Sequence, residues 1–153
     1  MTARALCLAA LAACTSQPAP CGGPASPTGL VSATITRVGG DPAMPPPGST
    51  CVPENDAFVY THDDHVLEAT TCSSATTGGP LMILMKTVTL SPGDSAALEN
   101  AIDAFGPVAP NCAGNVHDSI AVTRTTGTTT VDYADGCAQN SDPVFAVIDT
   151  ALQ

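Results

Sequence analysis

Residues 81–105 read LMILMKTVTLSPGDSAALENAIDAF, and this stretch decides the fold class. Its first part, Leu81–Leu90, begins as a continuous apolar run and ends in alternation, which indicates a β-strand. Because the start of the run is apolar at every position, we predict that both faces of the strand are covered there, as in the centre of a sheet. A helix signal follows directly, so the chain combines both kinds of element.

The helix that follows has a start and an end signal. Ser91 can cap the first turn, Pro92 suits the first helical position, and Asp94 can complete a capping box. Gly106-Pro107 ends the segment. The apolar side chains that share one face, and therefore predict the packed side, are Leu98, Ile102 and Phe105.

Shorter patterned segments lie on either side of this unit. In chain order they are a strand at Val31–Thr36, a hairpin of Ala57–Thr61 with Val66–Thr71, a hairpin of Ser119–Arg124 with Thr128–Tyr133, and a helix that starts at Asp142 with Phe145, Ile148 and Leu152 on its apolar face. This order predicts an α+β domain. It would have a small antiparallel sheet of five to six strands, with two hairpins, and two helices packed on one side.

Composition limits both the core and the surface. Aromatic residues make up 3% of the 153 residues and tryptophan is absent. Since aromatic side chains bury the most area each, the core is thin and we expect disulfides to reinforce it. The formal net charge of −10 repels nucleic-acid phosphates and disfavours docking on anionic lipid, so we expect no nucleic-acid partner.

The N-terminus has the layout of an export signal. Arg4 precedes the apolar run Ala5–Ala13, which is too short to span a bilayer as a helix but suits the hydrophobic region of a signal peptide. The run ends in Leu11-Ala12-Ala13-Cys14, which resembles the lipobox of bacterial lipoproteins. The resemblance covers residues 1–14. It implies that residues 1–13 are a signal peptide removed on export, and that Cys14 is lipidated.

The segment after Cys14 reads as a tether. Residues 14–29 are mostly Pro, Ser, Thr, Gly and Ala without periodicity, so they cannot bury enough apolar area to fold. A single domain would then occupy residues 30–153. Thr15 stands where an Asp commonly means inner-membrane retention in Gram-negative lipoproteins, so we expect a lipid anchor in the outer membrane if the cell is Gram-negative. The alternative is an ordinary signal peptide and a secreted or periplasmic protein.

Five cysteines remain after the signal and the lipid site, in an exported protein where thiols oxidise. Turn geometry predicts two disulfides that bracket the hairpins, Cys51–Cys72 and Cys112–Cys137, among the three pairings that four cysteines allow. Cys21 is left over, either free or paired with another chain. A zinc site built on closely spaced cysteines is disfavoured because the chain has no C-x-x-C.

Potential metal ligands cluster in the sequence at His62, Asp63, Asp64 and His65. Their imidazoles and carboxylates suit a transition metal, but four adjacent side chains on a hairpin tip cannot all converge on one ion, and the sequence shows no distant partner. We therefore expect a polar turn and no metal site. Asp132 and Asp135 lack the spacing of a calcium loop.

Catalytic motifs are equally weak. Gly93-Asp94-Ser95 resembles the nucleophile segment of some serine hydrolases, but the same residues are explained by the helix start, and His117-Asp118 has no third group. We assign no catalytic residues and no cofactor. The sequence favours a lipid-anchored cell-envelope module that binds an envelope protein or glycan. The alternatives are a small secreted hydrolase or metal-dependent enzyme with an unrecognised site, and a protease-inhibitor-like domain.

Overall fold

The computed structural model describes residues 29–39, 44–104, 116–134 and 142–153. The described residues form strands and helices in an order that matches the sequence expectation. The elements are β1 (Leu30–Gly39), β2 (Asn55–Thr61), β3 (Val66–Ser73), β4 (Met82–Thr89), α1 (Pro92–Asp103), β5 (Val116–Arg124), β6 (Gly127–Ala134) and α2 (Asp142–Ala151).

The strands form one antiparallel sheet in the order β4-β3-β2-β1-β5-β6. The two predicted hairpins are present, as β2–β3 and β5–β6. β1 lies between them and pairs with β2 on one side and with β5 on the other. The structure thus confirms an α+β fold with an antiparallel sheet and two helices, and it places β1 and β2 at the centre.

The prediction that Leu81–Leu90 is a central strand is wrong. β4 is the edge strand of the sheet and pairs only with β3 within the described residues. Seven of its eight residues, Met82–Lys86 among them, are exposed. An apolar run indicates a strand but carries no information on how many neighbouring strands it pairs with. Here β4 follows β3 as the outermost strand of an antiparallel meander.

The core lies between one face of the sheet and the two helices. Phe58 of β2 meets Phe145 of α2 edge to face, with ring centroids 6.0 Å apart. Arg37 of β1 stacks over the same Phe145 ring at 3.9 Å, and it donates from Nε and Nη2 to the carboxylate of Asp118 at 2.9 and 3.0 Å. The largest fully buried apolar side chains are Ile35, Leu67, Leu98, Ile102, Ile120, Val144 and Ile148.

Helix α1 begins as its sequence predicts. Ser91 is the N-cap, its Oγ accepts from the Asp94 amide at 3.2 Å, and Pro92 is the first helical residue. The helix ends at Asp103, before Gly106-Pro107, and Phe105 lies outside the described residues. No helix in the described part of the chain is long and apolar enough to cross a membrane.

One of the two predicted disulfides lies within the described residues. Cys51 is bonded to Cys72 with a Cα–Cα distance of 5.9 Å, as predicted. The bond ties the loop before β2 to the end of β3. The predicted partners Cys112 and Cys137, like Cys14 and Cys21, lie outside the described residues.

Candidate functional site

Five polar side chains meet beneath helix α1, where the β2–β3 hairpin turns. We call Tyr60, His62, His65, Ser95 and Glu99 the His62 cluster. All but His65, which is half-buried, are nearly inaccessible to solvent, with His62 only 6% exposed and Glu99 only 9% exposed. Buried polar groups on this scale are costly unless each has a partner, so the contacts within the cluster decide what it can do.

The hairpin turn aims two imidazoles at the helix. The backbone closes through the His65 amide, which donates to the His62 carbonyl at 3.1 Å, and through the Leu90 amide, which donates to the His65 carbonyl at 2.7 Å. His65 has a positive φ of 51°, a conformation that is uncommon outside glycine. The two rings lie edge to face with centroids 5.7 Å apart, while Asp63 and Asp64 are exposed on the outside of the turn.

Helix α1 supplies the other half of the cluster. Ser95 and Glu99 are one helical turn apart and are buried on the same side as Leu98 and Ile102. The packed face of the helix was predicted from Leu98, Ile102 and Phe105, so sequence reasoning missed Glu99 and considered Ser95 only as part of Gly93-Asp94-Ser95. The signal that could have revealed them is the four-residue spacing of Ser95 and Glu99, which places both on the packed face of the helix. Nothing in the sequence connects that face with the turn that carries His62 and His65.

Hydrogen bonds link the five residues into one continuous network. His62 Nδ1 donates to Glu99 Oε1 at 2.6 Å, and the Tyr60 hydroxyl donates to the same oxygen at 2.7 Å. The Tyr60 hydroxyl is also hydrogen-bonded to Ser95 Oγ. Ser95 Oγ in turn bonds to His65 Nδ1 at 2.8 Å. The network therefore runs from one histidine to the other through the carboxylate, the phenol and the hydroxyl.

The donor and acceptor roles along this network indicate which tautomer of His65 fits it. With Glu99 ionised, the single Tyr60 proton points to Glu99, so Ser95 must donate its own proton to the Tyr60 oxygen. Ser95 Oγ then accepts from His65 Nδ1, which places the proton of a neutral imidazole on Nδ1 and the lone pair on Nε2.

Burial holds Tyr60 in its neutral form. Desolvation raises the pKa of the Tyr60 phenol above its usual value, and the hydrogen bond and the negative charge of Glu99 raise this pKa further, against an opposing contribution from Ser95. The phenol therefore keeps its proton throughout the physiological range and remains a donor to Glu99.

Three members of the cluster are metal-ligand types. One ligand atom from each of His62, His65 and Glu99 lies within 4.8 Å of the other two. The sequence had suggested His62, Asp63, Asp64 and His65 as weak candidates. The structure brings the two histidines together, leaves the two aspartates outside, and adds Glu99 as the distant partner that the sequence did not reveal.

The hydrolase-like motifs do not assemble into a site. Ser95 of Gly93-Asp94-Ser95 is 2% exposed and bonded within the His62 cluster, so it is not presented to a substrate. Asp118 is buried in its ion pair with Arg37, while its neighbour His117 is exposed. Asp132 is exposed on β6, and Asp135 lies outside the described residues.

A second feature is the side of β4 that pairs with no described strand, which we call the β4 edge. Its apolar residues are exposed, from Leu84 at 41% to Met85 at 82%. The Leu90 amide bonds to His65, and hydrogen bonding alternates along an antiparallel pair. The amides of Ile83, Met85 and Thr87 therefore point away from β3. The loop at Ser49 and Thr50 bonds to Leu81, before the strand begins.

Comparison with protein-family models, with curated proteins and with solved structures gives no match to this chain. No relative therefore assigns a role to the His62 cluster or to the β4 edge.

Proposed function

We propose that this protein is an exported, lipid-anchored module that binds an extended segment of another cell-envelope protein by strand addition along β4. The observation that carries the proposal is the β4 edge itself, an edge strand with four consecutive exposed apolar residues, Met82–Met85. Monomeric proteins usually protect such edges, because an open apolar strand pairs with other chains. An apolar edge strand such as this one, which pairs with no second strand among the described residues, is typical of a binding site for an extended peptide.

The backbone of β4 offers the regular contacts that strand addition requires. The outward amides of Ile83, Met85 and Thr87, with the carbonyls of the same residues, can form an antiparallel or parallel ladder with an incoming chain. These main-chain bonds would supply affinity that depends little on the partner's sequence.

The side chains of the β4 edge supply selectivity on both faces of the sheet. Strand register puts Met82 and Leu84 on the face that carries the helices, and Ile83 and Met85 on the opposite face. An added strand would thus find apolar contacts above and below its own plane. Methionine side chains adapt to varied partners, which suits recognition of an extended apolar segment.

A charged side chain in the middle of an edge strand often protects it from pairing, and β4 has one such residue. Lys86 is the one basic residue of β4, and its ammonium group bonds to the Leu152 carbonyl at the end of α2. This contact draws the lysine towards the helices. The net charge of −10 would favour partner segments that are neutral or basic.

Site-specific photocrosslinking in living cells tests the binding site. A photoreactive residue at Ile83 is compared with one at Thr130, which is exposed on β6. We expect adducts with one envelope protein from position 83 only. The same adducts should be lost in Met85→Pro, because this change removes an outward amide while leaving the β3–β4 ladder intact.

Other outcomes of this experiment would contradict strand addition. Adducts that survive Met85→Pro, or that form equally from Thr130, would mean that the edge does not select the partner. Adducts between two copies of this chain would replace the proposed partner by self-association. A crosslink to residues 1–28 of the same chain would show that the N-terminal segment covers β4.

The anchor is tested separately with Cys14→Ser. Lipid on Cys14 would hold the protein to a membrane, and its loss should move the protein wholly to the soluble fraction. Cys21→Ser is the matched control, because it removes a nearby thiol without touching the lipobox-like residues. Membrane partition that persists in Cys14→Ser would contradict the lipoprotein assignment and leave the strand-addition proposal to its own test.

A further inference from the structure

We infer that His62, His65 and Glu99 form a binding site for one divalent transition-metal ion of the Zn²⁺ class, which would connect the β2–β3 turn to helix α1. The inference goes beyond the proposed partner binding, since it rests on different residues. The first step is geometric. The three ligand atoms lie within 4.8 Å of one another and come from two elements that already pack together.

The distances suit a small contraction onto an ion. Zinc binds nitrogen and oxygen ligands at about 2.0–2.2 Å in a tetrahedron, which places the ligand atoms roughly 3.4 Å apart. The three groups therefore need to move inwards by about an ångström or less to share one ion. To coordinate through Nδ1, His62 would carry its proton on Nε2 instead and give up its 2.6 Å hydrogen bond to Glu99, and the two groups would separate as the ion takes its place between them.

The chemistry of the ligands selects the class of ion. Two imidazole nitrogens and one carboxylate oxygen suit zinc and its first-row neighbours. Calcium and magnesium prefer sites made of oxygen ligands, so they fit poorly. Three protein ligands also leave a fourth position for water.

The residues around the three ligands orient them in the way that metal sites require. Ser95 is hydrogen-bonded to His65 Nδ1, which leaves Nε2, with its lone pair, as the atom of His65 that would coordinate the ion. The Tyr60 hydroxyl donates to Glu99 Oε1 at 2.7 Å and fixes the direction of the carboxylate. Such outer partners are a regular part of metal sites because they set the tautomer and direction of each ligand.

The local sequence departs from what packing and turn formation alone would favour. Glycine or asparagine would serve better at the positive φ of residue 65, yet His65 adds an imidazole there. An apolar residue would serve better on the packed face of α1, yet Glu99 places a carboxylate there. His65 is the half-buried member of the cluster, so an ion would reach the three ligands from its side.

Calorimetric titration of the full-length protein with ZnCl₂ tests the inference. Free thiols are alkylated first, so that cysteines outside the Cys51–Cys72 bond do not compete. We expect one ion per chain with a submicromolar dissociation constant, and a rise in melting temperature on adding zinc. CaCl₂ in place of ZnCl₂ should give no binding at the same concentrations.

Two pairs of variants separate a metal site from adventitious binding. His65→Asn keeps a residue that accepts a positive φ and should weaken zinc binding by about 100-fold or more, beyond the range of a typical outer partner. Glu99→Gln, which keeps the shape of the side chain, should have a similar effect. His117→Asn and Asp63→Asn are the controls, since both residues are exposed and outside the cluster, and each should bind zinc like the unaltered protein.

Circular dichroism shows that each variant is folded before it is titrated. No heat of binding in the unaltered protein would overturn the inference. So would zinc binding of unchanged affinity in a folded His65→Asn protein, or a loss in His117→Asn as large as in His65→Asn.

Discussion

The β4 edge exposes apolar side chains to solvent, whereas the His62 cluster buries polar ones. The two regions are connected through Leu90, which follows β4 and donates from its amide to the His65 carbonyl. Met85 of the apolar edge is 82% exposed, while His62 of the polar cluster is 6% exposed. Both arrangements are unfavourable for an isolated monomer, because one leaves apolar area in water and the other removes charged groups from it. Residues whose burial runs against their polarity are not explained by packing alone, and they are therefore the ones most open to a functional explanation.

The two regions also differ in how they are held. Among the residues that the structure describes, β4 pairs on one side only, so its exposed side chains can change at little cost to folding. Each residue of the His62 cluster is hydrogen-bonded across the boundary between the β2–β3 hairpin and helix α1, so removing one affects the others. Mutations in the two regions should therefore have very different effects on stability.

The largest effect is expected from His62→Leu. It removes a hydrogen-bond donor from the buried Glu99 carboxylate and should lower the free energy of unfolding by about 3–5 kcal/mol. Urea denaturation measures the change. The control on β4 is Met85→Thr, which alters an exposed side chain and should change stability by no more than about 0.5 kcal/mol. Equal effects of the two changes would remove the contrast between the regions.

Loss of the Cys51–Cys72 bond should come next. The bond closes a loop with a sequence separation of 21, and its removal in Cys51→Ala/Cys72→Ala should cost roughly 3 kcal/mol on the chain-entropy model. Because Cys72 pairs with Ile83 across the ladder, hydrogen exchange should accelerate first in β4. If the amides of α1 accelerate first instead, the disulfide supports the His62 cluster and not the edge.

A smaller effect is expected from Tyr60→Phe. The phenylalanine keeps the packing but leaves Glu99 and Ser95 without their shared partner, which should cost about 1–3 kcal/mol. A calorimetric melting curve of each protein measures the difference. A phenylalanine protein that is as stable as its parent would show that the phenol is not needed to satisfy the cluster.

The same residue predicts the behaviour at high pH. Folding raises the pKa of the Tyr60 phenol, so the folded state holds its proton more tightly than the unfolded state does. Stability from this group is complete below the unfolded pKa of about 10 and is lost as the pH rises above it. With Tyr133 replaced by Phe, phenolate absorbance should appear only as the protein unfolds. Phenolate formation near pH 10 in the folded protein would contradict this.

Local chemistry explains which parts of the fold were predictable. The cap at Ser91, the hairpin around Thr126-Gly127 and the Cys51–Cys72 pairing all depend on residues close in sequence, and each is present. The position of β4 at the edge of the sheet is set by the order in which the strands pair, and an apolar run in the sequence does not encode that order. Its apolar composition suggested burial, but an edge that binds an extended segment, as proposed, would have the same composition as a core strand.

For a related reason, the sequence revealed only two of the three potential metal ligands. His62 and His65 stand out in the sequence, but Glu99 is 37 positions from His62 and lies among apolar residues of an ordinary helix. Only the packing of α1 on the β2–β3 hairpin brings them together. The predicted lipidation of Cys14 and the pairing of Cys112 with Cys137 remain predictions.

Residue-resolved hydrogen exchange along β4 tests most directly whether the apolar run is an open edge. The central claim predicts an alternating pattern, with slow exchange at Leu84, Lys86 and Val88, whose amides face β3, and fast exchange at Ile83, Met85 and Thr87. Uniformly slow exchange at all six amides would mean that β4 has neighbours on both sides, and it would contradict both the open edge and the function proposed for it.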